Sequence, residues 1–355
     1  MSERLRKVRD ELAAGKLDGL IVTDNLNVRY LSGFTGTYGV LLATLESAYL
    51  VTDARYAEQA SQECPNVCLE LVENAWMPAM EALIDRLDLR RIGFEGHALS
   101  YENWHELQEA LSSRELVSVE DPVGRIRMVK EPGELDSIRE AVRIADAVYE
   151  RISGFLSPGL QEREVAAEID YALRKMGAEG EAFDTLVASG ARSALPHGKP
   201  TVRRIAQGEL ILLDFGARFQ GYHSDITRTV VMGTPDSRQE EIYGIVLEAQ
   251  SKAIEAIRPG LEGREVDAVA RECIAKKGYG QYFGYGLGHG LGLSVHDRRI
   301  LGRRSEIVLA TGMVVTVEPG IHIPVWGGIR IEDDVLITES GAEVLTQSPK
   351  KLGLA

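Results

Sequence analysis

The amino-acid sequence predicts an α/β domain in residues 1–122, followed in residues 123–355 by a duplicated α+β domain with pseudo-twofold halves. Three observations support this prediction. A chain of 355 residues exceeds one ordinary hydrophobic core. Residues 119–124 contain the Pro and Gly that commonly separate domains. The sequence after this stretch contains an internal repeat.

The first domain alternates helical and strand patterns. Apolar residues at helical spacing predict helices over 5–17, 56–63, 77–87 and 101–111. Short apolar runs predict strands over 19–23 and 91–95, and two more within 39–53 that turn at 44–47. A long helical pattern over 132–156 opens the second domain.

The repeat is the most informative feature of the second domain. The pattern PGLxxREV begins at Pro158 and recurs at Pro259. Each copy continues with a helix, a glycine-containing region with a histidine, and a hairpin pattern that carries two acids. These residues are His197, Asp214 and Asp225 in the first copy, and His289, Glu318 and Glu332 in the second. Chance similarity of two amphipathic helices is the alternative, and the shared order of the acids disfavours it.

Composition excludes several classes of function. The net charge of −14 argues against nucleic acid and anionic membrane surfaces as partners, because both require clustered cations. Three cysteines without framework spacing indicate reduced thiols. Neither a signal-peptide core nor an apolar run of membrane-spanning length occurs in the sequence, so we expect a cytoplasmic protein.

The two acids of the first copy predict a cation site. Asp214 ends an apolar run typical of a buried strand, where a carboxylate is costly unless it is paired or binds a metal. Gly216 and Gly221 frame a turn centred near Phe219 and Gln220, which predicts that Asp214 and Asp225 lie roughly opposite each other across a hairpin. Directly opposed Cβ atoms are about 5 Å apart. A cation between them would relieve their repulsion. A purely structural role remains the alternative for a single buried Asp.

The second copy repeats this logic. An apolar strand over 313–317 delivers Glu318, and a returning strand carries Arg330 and Glu332 on one face. Arg330 is therefore predicted to orient the Glu332 carboxylate, with a surface ion pair as the alternative. Asp333 and Asp334 are predicted to be solvated or hydrogen-bonded rather than ligands.

Four carboxylates and one imidazole form an oxygen-rich ligand set, and the residues alone leave open which histidine supplies the imidazole. It suits two divalent ions, with Mn²⁺ ahead of Zn²⁺ or Co²⁺. Such a pair activates water at neutral pH and stabilises an oxyanion. His289 lies in a glycine-rich segment, and His296 follows seven residues later. A fully extended chain would separate them by about 23 Å, so the segment must bend if both serve one site.

Several motifs together resemble the pita-bread metallopeptidases, in particular aminopeptidase P and prolidase. They are LDFG from Leu213, SDITRT from Ser224, GHG from Gly288 with VHD from Val295, VEPG from Val317, and RIEDD from Arg330. The first domain (SGFTG from Ser32, TDARY from Thr52) and the link RMVK from Arg127 with Glu134 are also similar to this family.

The resemblance implies a pita-bread catalytic domain and a role for each site residue. It implies Asp214, Asp225, His289, Glu318 and Glu332 as ligands of two metal ions, with Asp225 and Glu332 bridging. It further implies Glu318 as general base. His197 and His296 would lie near the substrate carbonyl and the departing proline nitrogen. Arg330 is counted with these catalytic residues as the group that orients Glu332. Family members are commonly homodimers or larger homo-oligomers.

The expected activity is release of the N-terminal residue before proline from peptides (an Xaa-Pro aminopeptidase). The alternative is a prolidase restricted to Xaa-Pro dipeptides. The long first domain disfavours methionine aminopeptidase. The intact ligand set disfavours a non-catalytic peptide-binding protein and creatinase-like hydrolysis without metal. Three positions depart from the family pattern: Tyr285 replaces a common His, His322 a usual Tyr, and Arg299 aligns poorly with an expected Arg. Residues 33–36 indicate a flexible, uncharged loop, which favours tripeptides cleaved at least as fast as dipeptides.

Overall fold

The structure is a computed structural model that describes residues 3–354. The chain divides into two compact units, Met1–Arg127 and Met128–Ala355. The sequence-based boundary after residue 122 lies five residues earlier, at the start of the helix Pro122–Met128. This helix belongs mostly to the first unit because Arg127 is buried there and donates to Asn27 Oδ1 at 2.8 Å.

The first unit is a mixed sheet with helices. Its helices are α1 (Glu3–Gly15), α2 (Asn25–Ser32), α3 (Ala57–Glu63), α4 (Trp76–Arg86), α5 (Tyr101–Ala110) and α6 (Pro122–Met128). Its strands are β1 (Gly19–Val22), β2 (Val40–Thr44), β3 (Ala48–Asp53), β4 (Cys68–Val72), β5 (Arg91–Glu95) and β6 (Glu115–Val119). They lie in the order β4-β3-β2-β1-β5-β6, antiparallel from β1 to β3 and parallel elsewhere.

The segment predicted to be a flexible loop, residues 33–36, is packed instead. Phe34 is 2% exposed, and a Cβ on Gly36 would lie 2.2 Å from its ring. Gly33 ends α2 with φ 87°, and Thr35 donates to the Glu63 carboxylate through both its backbone N–H and its hydroxyl. The prediction of flexibility was therefore wrong, because burial of one aromatic ring fixes the segment.

Glu95, His97 and Asp121 of this unit lie close enough together to suggest a second cation site. The Glu95 carboxylate, however, accepts hydrogen bonds from the backbone N–H groups of Thr23 and Asp24, at 2.8 and 2.9 Å, and from the Asn27 side chain. Its acceptor capacity serves the start of α2, so we interpret this cluster as structural.

The second unit contains the duplicated domain. Its helices are α7 (Pro132–Phe155), α8 (Glu162–Lys175), α9 (Ser237–Ala256) and α10 (Gly263–Lys276). Its strands are β7 (Gly180–Glu181), β8 (Leu186–Ser189), β9 (Leu210–Phe215), β10 (Ala217–Phe219), β11 (Tyr222–His223), β12 (Ile226–Met232), β13 (Val314–Val317), β14 (Gly320–Ile323), β15 (Gly327–Arg330), β16 (Asp333–Thr338), β17 (Gly341–Val344) and β18 (Gly353–Leu354). The sheets follow the orders β18-β12-β9-β8, β11-β10-β7, β13-β16-β17 and β14-β15.

The internal repeat is visible in the backbone. Helices α8 and α10 have 14 residues each, and each begins with a capping box. Gly159 and Gly260 precede them with φ of 94° and 91°, a conformation that glycine adopts without strain. Each helix packs against the longer helix before it, α7 or α9. Both halves therefore place equivalent hairpins under equivalent helix pairs, which confirms the predicted pita-bread domain.

Apolar strand residues build the core of this domain. Ile211, Leu213 and Phe215 of β9 are fully buried under α7 and α8, while Val315 and Val317 of β13 lie in the cluster that includes α9 and α10. Acids at the ends of such strands are thereby drawn out of water. Among residues 3–354, every helix is too short or too polar to cross a membrane.

Candidate metal centre and active site

The first two candidate ligands lie on the hairpin formed by β9 and β12. Asp214 pairs with Thr227 in the antiparallel ladder, and Asp225 directly precedes β12. Asp214 and Asp225 therefore lie roughly opposite across the hairpin, offset by two residues from direct opposition. The turn falls on Gln220 and Gly221, with φ of 49° and 79°, one residue later than the predicted centre near Phe219 and Gln220. Because side chains alternate with period two, both acids still occupy one face.

The second half delivers its ligands from three positions. Strand β13 ends immediately before Glu318, and Glu332 lies between β15 and β16. His289 follows Gly288, where a Cβ would come within 1.9 Å of the Thr316 carbonyl oxygen. Only glycine allows this close approach, so the glycine-rich segment brings the imidazole against β13.

These residues converge. His289 Nε2 lies 3.6 Å from Asp225 Oδ2 and 3.5 Å from Glu318 Oε1. Asp225, His289 and Glu332 each offer a ligand atom, and these atoms lie within 4.8 Å of one another. Asp214 is close enough for its charge to act on Asp225, Glu318 and Glu332. The five predicted ligands therefore meet where the two halves face each other.

His289 presents a lone pair to the acids. Its Nδ1 lies 3.0 Å from the carbonyl oxygen of Gly290, which can only accept, so Nδ1 carries the hydrogen. Burial lowers the pKa of His289 to about 4, and the ring is neutral at neutral pH. Nε2 therefore directs a lone pair towards Asp225 and Glu318, an arrangement that a cation stabilises.

Burial of the four acids in one place raises their pKa values. Burial first, and then neighbouring carboxylates, raise the pKa values of Asp225 and Glu332 well above their usual range. Burial raises the pKa of Glu318 to about 7, against the lowering effect of Arg330. Burial also raises the pKa of Asp214, again opposed by Arg330. One guanidinium does not neutralise these carboxylates.

The chemistry of the donor set fits divalent cations. Asp225 Oδ1 is buried and has no hydrogen-bond partner within residues 3–354. Four carboxylates and one imidazole nitrogen are ligands that Mn²⁺, Zn²⁺ and Co²⁺ accept. Cations would satisfy the orphaned oxygen and remove the repulsion that raises the pKa values.

Arg330 lies beside Glu332 as predicted, and its charge lowers the pKa of that carboxyl against the larger raising effect of burial, but its hydrogen bonds go to other groups. Its guanidinium donates to Asp214 Oδ2, to Thr227 Oγ1 at 2.9 Å and to the Pro196 carbonyl at 3.1 Å. The predicted contact with Glu332 is instead made by the Thr227 hydroxyl, at 2.5 Å. The long Arg side chain reaches across to β9, whereas the shorter Thr lies beside Glu332.

Several hydrogen-bonding residues support the candidate ligands. The Thr316 hydroxyl accepts from the His289 N–H at 3.1 Å and donates to Glu318 at 3.3 Å. Asp334 accepts from the Asp225 N–H at 2.9 Å, and Asp333 pairs with Arg228 at 2.8 Å. Both aspartates are 0% exposed, so the hydrogen-bonding role predicted for them holds and the solvated one does not. The role of Thr316 escaped the sequence analysis. A threonine two residues before a candidate ligand, on the strand that delivers it, is the signal that could have indicated it.

The two candidate catalytic histidines lie around these acids. The ring centroids of His296 and His289 are 4.4 Å apart, so the segment between them bends as the spacing required. Both His197 and His296 lie within electrostatic range of the Asp214 carboxylate. His197 also lines a cavity of about 610 Å³, together with Pro196, Tyr282, Tyr285 and His322. A cavity of this size accommodates a small peptide.

Tyr285 and His322, the residues at two of the departing positions, form a hydrogen-bonded pair. Tyr285 Oη lies 3.1 Å from His322 Nε2, and His322 Nδ1 lies 3.3 Å from the Ser193 carbonyl oxygen. Because the carbonyl only accepts, Nδ1 carries the hydrogen and the Tyr285 hydroxyl donates to Nε2. The pair forms one wall of the cavity.

Comparison with known proteins places the chain in a family. The model of metallopeptidase family M24 matches residues 136–339, and that of the creatinase/prolidase N-terminal domain matches residues 4–129. The chain is 41% identical to a Xaa-Pro dipeptidase of Pyrococcus horikoshii over 99% of each chain.

Solved structures agree with this relationship. A Xaa-Pro dipeptidase from Bacillus anthracis is 42% identical with a TM-score of 0.97, and the similarity covers 99% of each chain. An X-Pro aminopeptidase from Thermotoga maritima is 37% identical with a TM-score of 0.90, and the similarity covers 96% of this chain and 98% of that one. The chain therefore belongs to metallopeptidase family M24, with a creatinase/prolidase-type domain before a pita-bread catalytic domain.

Proposed function

We propose that this protein is a metal-dependent dipeptidase that hydrolyses the bond between a residue and a following C-terminal proline. The observation that carries the proposal is the convergence of Asp225, His289 and Glu332 in one buried cluster. The relatives named Xaa-Pro dipeptidase, similar over nearly their whole length, favour this function over the aminopeptidase expected from the sequence.

Five residues would hold two divalent ions: Asp214, Asp225, His289, Glu318 and Glu332. We propose Asp225 and Glu332 as the bridging ligands and Mn²⁺ as the preferred ion, ahead of Zn²⁺ or Co²⁺. When bound, such ions make water nucleophilic at neutral pH and stabilise negative charge on the substrate oxygen.

The protein's own residues would handle the proton and the substrate. Glu318, which directly follows β13 and whose Oε1 lies 3.5 Å from His289 Nε2, is the proposed general base that takes a proton from water. His296 and His197 would donate hydrogen bonds to the carbonyl oxygen and meet the departing proline nitrogen. Arg330 fixes Asp214 and thereby shapes the floor of the site.

Proline explains why a dedicated site is needed. Its nitrogen carries no N–H and its φ is fixed, so a peptidase that relies on that donor handles the bond poorly. A site that binds the substrate through its scissile carbonyl and its N-terminal residue does not need an N–H on the proline. Proline-containing peptides are therefore the proposed substrates.

The Xaa-Pro aminopeptidase remains the second candidate, because one observation favours it. The residues lining the cavity beside His197 include neither Lys nor Arg that could receive the free carboxylate of a dipeptide. Within the dipeptidase proposal, Arg299 is the candidate to receive that carboxylate, since it lies close enough for its charge to lower the pKa of His296.

One assay separates the two activities. Metal-reconstituted protein is offered Xaa-Pro, Xaa-Pro-Yaa and Xaa-Ala peptides side by side. The proposal predicts fast cleavage of the dipeptide Xaa-Pro and little of the other two. Arg299→Gln should raise KM for Xaa-Pro and leave KM for its C-terminal amide unchanged. Cleavage of the tripeptide at least as fast as the dipeptide would identify the aminopeptidase. A homodimer or larger homo-oligomer, as proposed from the family resemblance, is tested by light scattering.

A further inference from the structure

A buried salt bridge lies beside the active site and has no part in the mechanism above. Lys130 Nζ lies 3.7 Å from Asp297 Oδ2, and the two side chains are 1% and 5% exposed. Lys130 lies in the link between α6 and α7, whereas Asp297 directly follows His296. Removing two charges from water costs several kcal/mol per ion, and apolar pairs often replace them without loss of stability. A purely structural need therefore explains this pair poorly.

Lys130 is held in a fixed place. Its backbone N–H donates to the Gly312 carbonyl at 2.9 Å, and its neighbour Val129 forms a bridge with Met313. Its ammonium group also donates to the Met128 carbonyl at 3.1 Å. Lys130 is thus fastened to the start of β13, the strand that delivers Glu318. The ammonium group therefore provides a rigid reference point close to the metal ligands.

The segment that carries His296 lacks regular structure. Residues 291–299 contain bends but neither helix nor strand. A short loop closes on itself where Asp297 N–H donates to Gly290 O at 2.9 Å and Gly290 N–H donates to Arg298 O at 2.7 Å. Such a loop fixes its two ends, and the position of the imidazole at its edge depends on additional contacts.

The salt bridge supplies such a contact at the residue next to His296. The space for it is kept by Gly292, where a Cβ would lie 3.2 Å from Asp297 Oδ2 and 3.3 Å from Lys130 Cε. The Gly292 carbonyl oxygen lies 3.0 Å from both the N–H and Nδ1 of His223, which anchors the opposite side of the loop. Two contacts therefore hold the loop, one at Asp297 and one at Gly292. His296 lies in the segment between these two residues, and its ring contacts the His289 ring.

We propose that the buried Lys130–Asp297 salt bridge positions His296 for the reaction, which makes Lys130 and Asp297 positioning residues of the active site. This inference rests on the proposed role of His296 in Xaa-Pro hydrolysis. It explains why the link before α7 carries a lysine and why an acid follows His296.

A double-mutant cycle tests the proposal on the metal-loaded protein. Asp297→Asn should lower kcat on Xaa-Pro by about 10- to 100-fold, the effect of a misplaced catalytic group, with KM and bound metal unchanged. In the His296→Ala background the same substitution should cost nothing further, because its effect passes through the missing imidazole. Lys130→Met should behave in the same way, and it replaces Asp297→Asn if that variant does not fold. The control is Glu168→Gln, which removes a partly buried salt bridge with Arg151 between α7 and α8 and should leave kcat unchanged.

Two results overturn the proposal. One is an equal fold-loss in both backgrounds, which would show that the salt bridge acts independently of His296. The other comes from ¹⁵N-histidine NMR of the metal-free protein, which requires no activity. Asp297→Asn should shift the imidazole signals of His296, and unchanged His296 signals would contradict the positioning role. If the wild-type protein does not hydrolyse Xaa-Pro at all, the proposed function fails, while the NMR measurement still decides the positioning role.

Discussion

The hydroxyl of Thr227 donates to the Glu332 carboxylate at 2.5 Å, and it joins the two halves of the duplicated domain at the candidate metal centre. Thr227 also faces Asp214 in the β9–β12 ladder and accepts from Arg330. A single small side chain in the first half thus orients a ligand from the second. Buried contacts of this kind between the two halves bring ligands that are far apart in the sequence into one site.

Removal of this hydroxyl should weaken metal binding. Thr227→Val keeps the shape of the side chain and removes its hydrogen bonds, which should lower the affinity for Mn²⁺ by about 10- to 100-fold. Isothermal titration calorimetry measures the change. Thr185→Val is the matched control, because the Thr185 hydroxyl donates to the Asp170 carboxylate at the same distance of 2.5 Å. Equal affinities in the two variants would contradict the supporting role of Thr227.

The candidate catalytic histidines should separate from the ligands. His197→Ala and His296→Ala are each expected to retain bound metal and to lose a factor on the order of 10²–10⁴ in kcat, the range for proton transfer or oxyanion stabilisation. His289→Ala, which removes a proposed ligand, should lose metal as well as activity. Elemental analysis and steady-state kinetics on the same samples provide the comparison. Loss of metal in the His197 variant would mean that this residue has been given the wrong role.

Stability of the metal-free protein should depend on pH through Asp225. Its pKa is raised in the folded state, so the native protein binds more protons than the unfolded chain above pH of about 4. The stability of the folded state therefore falls as pH rises through this window, by up to about 1.4 kcal/mol per pH unit for one such group. Asp225→Asn removes this cost and should raise the unfolding temperature of the metal-free protein at pH 7.5.

The same variant should behave differently in acid and in the presence of metal. Near pH 4 its unfolding temperature should match that of the wild type, and with Mn²⁺ at pH 7.5 it should fall below it, because a ligand is missing. Asp136→Asn, at an exposed position on α7, controls for the loss of one charge. A difference between Asp225→Asn and wild type that stays constant with pH and metal would argue against shared burial of the acids.

Local signals in the sequence carried much of the fold. Turn glycines before α8 and α10 and the acids after apolar strands predicted the duplicated domain, and the structure confirms both. Strand β4 escaped prediction because four of its five residues are at least partly exposed, which leaves little alternation to detect. Helix α2 also escaped prediction, because Asn25 and Asn27 are residues typical of loops. Asn27 is buried in this helix because it pairs with Glu95, which is far away in the sequence.

Details within the site depended on geometry that spacing does not contain. The offset of two residues between Asp214 and Asp225 could not be read from the sequence, because Gln220 shares the left-handed turn with Gly221 and a glutamine gives little indication of that conformation. The hydrogen bond from Arg330 to Asp214 could not be predicted, because a long side chain reaches a neighbouring strand as readily as its own. The sequence predicted which face of a strand each side chain occupies. It did not predict which side chains on that face form hydrogen bonds with each other.

The central claim is that the buried acids and His289 form a two-metal centre. Its most direct test is the number of ions bound per chain, measured by elemental analysis after loading with Mn²⁺ and dialysis. The wild-type protein and His296→Ala should each retain about two ions, whereas Asp225→Asn and Glu332→Gln should retain clearly fewer, since each loses a proposed bridging carboxylate. Two ions retained in both carboxylate variants, or none in the wild type, would contradict the claim.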